Sequence, residues 1–228
     1  MDLRIGGIYK VTKNLGKNGT IFSGVNQRTK EEVAIKVGRI NHDVTPMILY
    51  ESKVCAHFKG AEGFPRMHAC VADGELQCMI TSIHGPNLQQ LFDFCDNKFS
   101  ALTIVKIGLQ LIERLEFLHQ QTFVYRNMKP ENILIGKGKK QNTLYLIDFA
   151  RCKRYICPRT SQHISFKKGK KIPEADQILY MPMREHSGKE SSRRDDLEGL
   201  GIMLIKLFRG KTPLPWELPP LILPNIPI

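Results

Sequence analysis

Lys129, Asn132 and Asp148 fall within one stretch of the chain, Phe123 to Ala150, FVYRNMKPENILIGKGKKQNTLYLIDFA. An amide oxygen and a carboxylate suit a hard divalent cation, and an ammonium is a point charge for a phosphate. Two short apolar runs, Ile133 to Ile135 and Leu144 to Ile147, enclose a Gly/Lys turn. Read as two strands, they deliver the three side chains to one mouth. Upstream, Lys36 is the single charge ending the apolar run Val33-Ala34-Ile35, so its ammonium requires a carboxylate or phosphate partner.

The elements that must position these groups follow from hydrophobic period. Tyr9 to Leu15 and Thr20 to Val25 alternate around Gly16-Lys17-Asn18-Gly19, which predicts a hairpin, and Glu32 to Val37 predicts a third strand. A helix is expected from about Thr45 to Phe58, with Pro46 in its first turn and Glu51 inside. Strands are expected near Arg66 to Val71 and Gln77 to Ser82, before Gly85-Pro86 breaks the chain. Ser100 is placed to cap a long helix ending at His119. Leu102, Val105, Leu109, Ile112, Leu115 and Leu118 form one stripe on it, and Ile104, Ile107 and Leu111 a second, which predicts burial nearly all round. A basic, irregular segment runs from Ala150 to Lys189, and Ser192 to Phe208 reads as another buried helix capped by Ser192.

The chain of 228 residues is 42% hydrophobic and 25% charged, enough to bury a sizeable core as one large domain or two lobes. No apolar run reaches the roughly 20 residues of a membrane span, and MDLRIGGIYK lacks a signal-peptide core, so a cytoplasmic or nuclear setting is expected and no membrane partner. The six cysteines are scattered without CxxC pairs, and reduced, mostly buried thiols are expected. Lys+Arg of 34 against Asp+Glu of 22 gives a net charge of +12, with clusters at Lys137 to Lys140, Arg151 to Arg154 and Lys167 to Lys171. These are read equally as a solvated basic face and as a surface for anions, acidic or phosphorylated peptides among them; no specific nucleic acid is expected.

The stretch Tyr125-Arg126-Asn127 to Asn132, followed by Asp148-Phe149-Ala150, resembles the protein-kinase catalytic loop and metal-binding turn. IYKVTKNLG, EEVAIK, ESKV, GPNLQQLFDFC, KFS, QHI and SRRDDLEGLG are similar to segments of the casein kinase I-type Ser/Thr kinases over nearly the whole chain. The resemblance implies an α+β, two-lobed fold: an antiparallel sheet with one helix, then a mainly helical lobe. It divides the chain into an N-lobe at 1–84, part of a C-lobe at 85–212, and a proline-rich tail at 213–228 outside the family pattern. It implies ATP and Mg as ligands, with weak binding expected from the altered glycine loop. Gly16, Gly19 and Ala34 would lie along the nucleotide, Lys36 and Glu51 would pair behind its phosphates, and Asn132 and Asp148 would hold metal. Thr81 takes the gatekeeper position, and Ile83 and His84 would offer hinge backbone to the adenine. Lys129 belongs to the catalytic loop, and Asp196 matches the buried aspartate that steadies that loop.

The departures bear on activity. Asn127 stands at the position of the catalytic base, and an amide cannot accept the substrate's proton. Gly16, Gly19 and Gly24 do not reproduce the glycine-loop spacing, and Leu179 replaces an arginine that holds a substrate phosphate. The family continues through further helices where this chain reaches LPPLILPNIPI, which implies a protein partner over an incomplete C-lobe. Three functions follow: a pseudokinase acting as a binding or scaffold module, an active Ser/Thr kinase for acidic or primed substrates, or an unstable truncated product.

Overall fold

The computed structural model describes residues 3–16, 19–40, 44–165, 179–212 and 214. Lys17 and Asn18 of the hairpin turn, the basic run Lys167 to Lys171, and the tail apart from Leu214 lie outside them.

Six strands form one antiparallel sheet in the order β1-β2-β3-β4-β6-β5: β1 (Arg4–Ile5), β2 (Tyr9–Asn14), β3 (Ile21–Asn26), β4 (Glu32–Arg39), β5 (Met67–Asp73) and β6 (Leu76–Ser82). Helix α1 (Val44–His57) packs against β4, β5 and β6. The two-residue side-chain period of a strand decides what each face carries. Val33 and Ile35 of β4 and Cys78 and Ile80 of β6 join Ile5 and Tyr9 in one buried cluster. The alternate residues, Ala34 and Lys36 opposite Thr81 and Met79, therefore share the other face, toward α1. That register places Lys36 on the cleft side of the sheet.

The remainder is mainly helical. Helix α2 (Leu88–Phe94) begins with a reciprocal cap in which Asn87 Oδ1 accepts from Gln90 N–H and the Gln90 side chain accepts from Asn87 N–H. Helix α3 (Ala101–Gln120) is capped by Ser100, whose Oγ accepts from Thr103 N–H at 3.1 Å. Short strands β7 (Phe123–Val124), β8 (Ile133–Ile135), β9 (Leu144–Leu146) and β10 (Lys153–Arg154) pair as β7–β10 and β8–β9. Helices α4 (Met183–His186) and α5 (Arg193–Arg209) follow, and α3 packs on α5. None of the described helices is long and apolar enough to cross a membrane.

Two burial expectations are corrected. Ile107, Leu111, Leu115 and Leu118 of α3 are buried, but Leu102, Val105, Leu109 and Ile112 are exposed, Leu102 at 64%. Helix α5 buries Leu200, Met203 and Leu207 and exposes Leu197, Ile205 and Phe208. The first stripe of α3 therefore splits, its Leu115 and Leu118 joining Ile107 and Leu111 under cover, and on both helices only the apolar side chains facing the other helix or the core are buried. The six cysteines are free, yet only Cys55, Cys78 and Cys152 are buried; Cys95 is exposed because it terminates α2 at the surface.

An aromatic cluster ties the layers together. Phe58 at the end of α1 sits 5.3 Å from Phe149 and 5.5 Å from Phe123, and Phe64 stacks 5.9 Å from Phe149. Phe117 of α3 lies 5.1 Å from Phe64. Such ring pairs add about 0.5–1.5 kcal/mol each beyond the area they bury. Phe149 thereby fixes the turn that presents its neighbour, Asp148.

Candidate functional site

Lys36 reaches from β4 across the cleft to two carboxylates. Its Nζ donates to Glu51 Oε2 at 2.7 Å and to Asp148 Oδ1 at 3.0 Å. Burial alone would lower the Lys36 pKa, but Asp148 and Glu51 outweigh it and hold the ammonium protonated well above its ordinary value. Burial likewise opposes ionisation of Asp148; Lys36, the Asn127 amide and Lys129 overcome it and hold the carboxyl below its usual range. Glu51 is buried, which pushes its carboxyl up while Lys36 pulls it back.

Asp148 occupies the left-handed region, φ 59°, a strained geometry for a residue with a side chain, and one that Asp tolerates better than most. Its second oxygen is also engaged: Asn127 Nδ2 donates to Oδ2 at 2.8 Å. Asn132 Nδ2 donates in turn to the Asn127 carbonyl at 2.9 Å. Asn127 and Asn132 are both buried. Lys36, Glu51, Asp148, Asn127 and Asn132 thus form one continuous polar chain, assembled from β4, α1, the loop after β7 and the turn after β9.

The backbone under Asn127 is held from α5. Asp196, buried at 3% exposure, accepts from Tyr125 N–H on Oδ2 and from Arg126 N–H on Oδ1, both at 2.8 Å. His119 Nε2 lies 2.8 Å from the same Oδ2. Tyr125 anchors the other end, its hydroxyl donating to the Ile147 carbonyl at 2.6 Å. Arg126, also at positive φ, donates from Nε to the Arg151 carbonyl and lies 3.6 Å from Glu190, which Lys153 also contacts. The roles of Glu190 and Tyr125 carry no signal in the sequence, because their partners are far along the chain.

Along the upper wall, Ala34 pairs with Ser23 on one side and Thr81 on the other, and Ile21 pairs with Lys36. The β2–β3 turn therefore lies at the Lys36 end of the sheet. Gly16 N–H is directed to Asn14 Oδ1 at 3.0 Å and Ile21 O at 3.2 Å, and Gly19 N–H to Gly16 O at 3.4 Å. Both amides serve the hairpin, where a phosphate-covering loop would turn them to the ligand. Ile83 and His84 lead from β6 to Gly85. The His84 ring stacks on Tyr145 at 3.8 Å and lies 3.1 Å from Ser82 Oγ, so its side chain is a packing element of the hinge. Burial, then the charges of Lys140 and Lys137, lower its pKa to about 4. Leu179 packs partly buried against the hydrophobic core, and Lys129 lines a small cavity of about 30 Å³ with Arg126, Asn127 and Asp196.

A nucleotide's phosphates fit the ammonium of Lys36, and oxygens of Asp148 and Asn132 are the donor type that magnesium takes. Each Asp148 oxygen accepts one hydrogen bond and keeps a further lone pair, and Asn132, which donates through Nδ2, has its Oδ1 as the acceptor atom, so both residues fit an oxygen-ligated cation. Among the described residues, no three His, Cys, Asp or Glu side chains cluster as a metal site. Compared with known families, residues 9–218 match the model of the protein kinase domain.

Proposed function

The chain belongs to the protein kinase family, and on that premise we propose that it is a casein kinase I-like pseudokinase: a nucleotide-binding module whose phosphotransfer is suppressed. The observation that carries this is the Asn127 side chain. It stands at the base position, cannot take a proton, and donates its amide N–H to Asp148.

Lys36 would hold the phosphates, Thr81, Ile83 and His84 would border the adenine, and Ala34 would lie over the ring. Magnesium at Asp148 and Asn132 would supply charge neutralisation of the phosphates. The hairpin engagement of Gly16 and Gly19 supports weak affinity, because backbone donors that would cover the phosphates are turned away. The exposed apolar stripe of α3 supports a protein partner there, and the basic clusters support acidic or phosphorylated peptides, in a cytoplasmic or nuclear setting.

A second reading, an active Ser/Thr kinase, draws on the intact Lys36–Glu51 pair at 2.7 Å, since phosphoryl transfer depends chiefly on positioning and electrostatics. Thermal-shift titration with Mg-ATP and a phosphotransfer assay on an acidic peptide separate the two. A ligand at 100 times its Kd stabilises by about 2.7 kcal/mol. The pseudokinase reading expects a thermal shift without product. Robust phosphorylation abolished by Lys36→Met would overturn it, and no shift at saturating Mg-ATP would remove the nucleotide.

A further inference from the structure

We propose that the apolar segment Leu218 to Ile228, LPPLILPNIPI, seats along the exposed apolar line of α5 and covers it in cis. The proposal concerns neither nucleotide nor metal, and it leaves the α3 stripe open for the partner proposed above.

Helix α5 has three apolar sides. Leu200, Met203 and Leu207 are buried in the core, and Leu204 faces α3, where a Cβ on Gly108 would fall 3.1 Å from its Cδ1. Leu197, Gly201, Ile205 and Phe208 make a third line along the helix, since residues three or four apart share a face. Its large side chains are exposed, Phe208 at 58%. A Cβ at Gly201 would meet nothing within 4 Å, so the line has a notch between Leu197 and Ile205.

The chain after α5 is held where the segment would have to start. Gly210, at φ 67°, ends the helix, and a Cβ there would fall 2.5 Å from Asn97 O, in the loop before α3. Thr212 N–H donates back to Arg209 O at 3.3 Å, and Leu214 is fully buried. From that anchor, residues 215–228 can span roughly 40 Å when extended. The 17 residues of α5 occupy roughly 25 Å.

Chemistry selects the same segment. It carries no charge, and Pro219, Pro220, Pro224 and Pro227 forbid a regular helix. A helix face offers no sheet edge, so a covering chain buries backbone N–H groups without partners, and each proline removes one of them. Leu221, Ile222 and Leu223 supply apolar side chains to fill the notch at Gly201 and cover Ile205. A tethered segment also acts at an effective concentration on the order of millimolar, which favours it over a free competitor.

The test is urea unfolding of the full chain at two protein concentrations, followed by circular dichroism, with light scattering for the oligomeric state. Phe208→Ser and the pair Leu221→Ser with Leu223→Ser should each lower the midpoint by roughly 0.5–1 M. Combined, they should lose no more than the larger single loss, because both remove the same contact. An unchanged midpoint in the tail variant, or additive losses, would overturn the proposal. Gly201→Gln adds a sign. On a bare helix face it raises the midpoint, since glycine is a poor helix former. With the notch occupied it should lower the midpoint, and raise it once Leu221 and Leu223 are serine. A rise in the otherwise unaltered chain would overturn the proposal. So would a midpoint that climbs with concentration alongside a dimer, which would give the face to a second copy. ATP titration tests the nucleotide reading separately, and that reading stands under each of these outcomes.

Discussion

Asn127 Nδ2 donates to Asp148 Oδ2 across 2.8 Å, joining the residue proposed for the base position to the aspartate proposed to hold metal. If the missing acceptor is what suppresses phosphotransfer, Asn127→Asp raises it. General bases contribute about 100- to 10,000-fold. The gain here should fall below the low end of that range, because Gly16 and Gly19 hold their amides in the hairpin. Radiolabel transfer from ATP to an acidic peptide measures it. A folded variant that gains nothing would place the block in the β2–β3 turn.

Lys36→Met should remove nucleotide binding and also destabilise the fold. Glu51 is 4% exposed, and losing its partner leaves a buried carboxylate unsatisfied, at about 2 kcal/mol. Urea unfolding at neutral pH reads that loss. It should shrink at acid pH, where Glu51 can take up a proton and no longer needs a cation.

His84 supplies a pH dependence with a definite sign. Its folded pKa of about 4 lies below the ordinary 6.5, so the unfolded chain binds the extra proton between those values. Stability from this group is fully present above 6.5 and is lost as pH falls through 4. A denaturation series from pH 7 to 4 should show the decline, and His84→Phe, which keeps a ring against Tyr145, should flatten it. An NMR midpoint for His84 near 6.5 would contradict the burial described.

Asp196→Ala deprives the buried N–H of Tyr125 and the part-buried N–H of Arg126 of their acceptor. The cost should be about 3 kcal/mol in chemical denaturation. Asp196→Asn offers a single side-chain oxygen and should recover part of that.

On α3 the two stripes should respond differently. Leu111 is fully buried, and Leu111→Ala should cost about 2–5 kcal/mol. Leu109 is 59% exposed, and Leu109→Ala should stay within about 0.5 kcal/mol. Equal losses would mean that both stripes are covered in solution.

Residue pattern revealed the strands and helices because each of them repeats its period over several turns or pleats. The capping serine at 100, the strand lysine at 36 and the glutamate at 51 stand where spacing put them. Period could not show which residues of the two apolar stripes on α3 meet a neighbour, since that depends on where α5 packs. Strand β1 is two residues long and too short to display alternation. The Asn127 amide on Asp148, the Tyr125 hydroxyl on Ile147 and the His84 ring on Tyr145 are contacts between distant segments with no local signature. A departure from a motif was legible in the letters; what the departing side chain does in place of the motif required coordinates.

Gly85 sets how the cleft can move. Its N–H donates to Ile135 O at 2.8 Å, and Ile135 N–H donates to Pro86 O at 3.1 Å, which bonds the chain after β6 to β8. A Cβ at position 85 would fall 2.9 Å from Ile135 Cγ1 and 3.2 Å from two carbonyl oxygens, so the approach needs glycine. The connection between the sheet and the helical part is thus pinned on one side like a door on its jamb. Any opening of the cleft would turn about this point, small near His84 and larger toward Lys36. A ligand entering from the Lys36 side would then meet the part of the mouth that such a turn widens, while the His84 end would keep its dimensions. Gly85→Ala would loosen the pin, and the swing would no longer have a fixed axis.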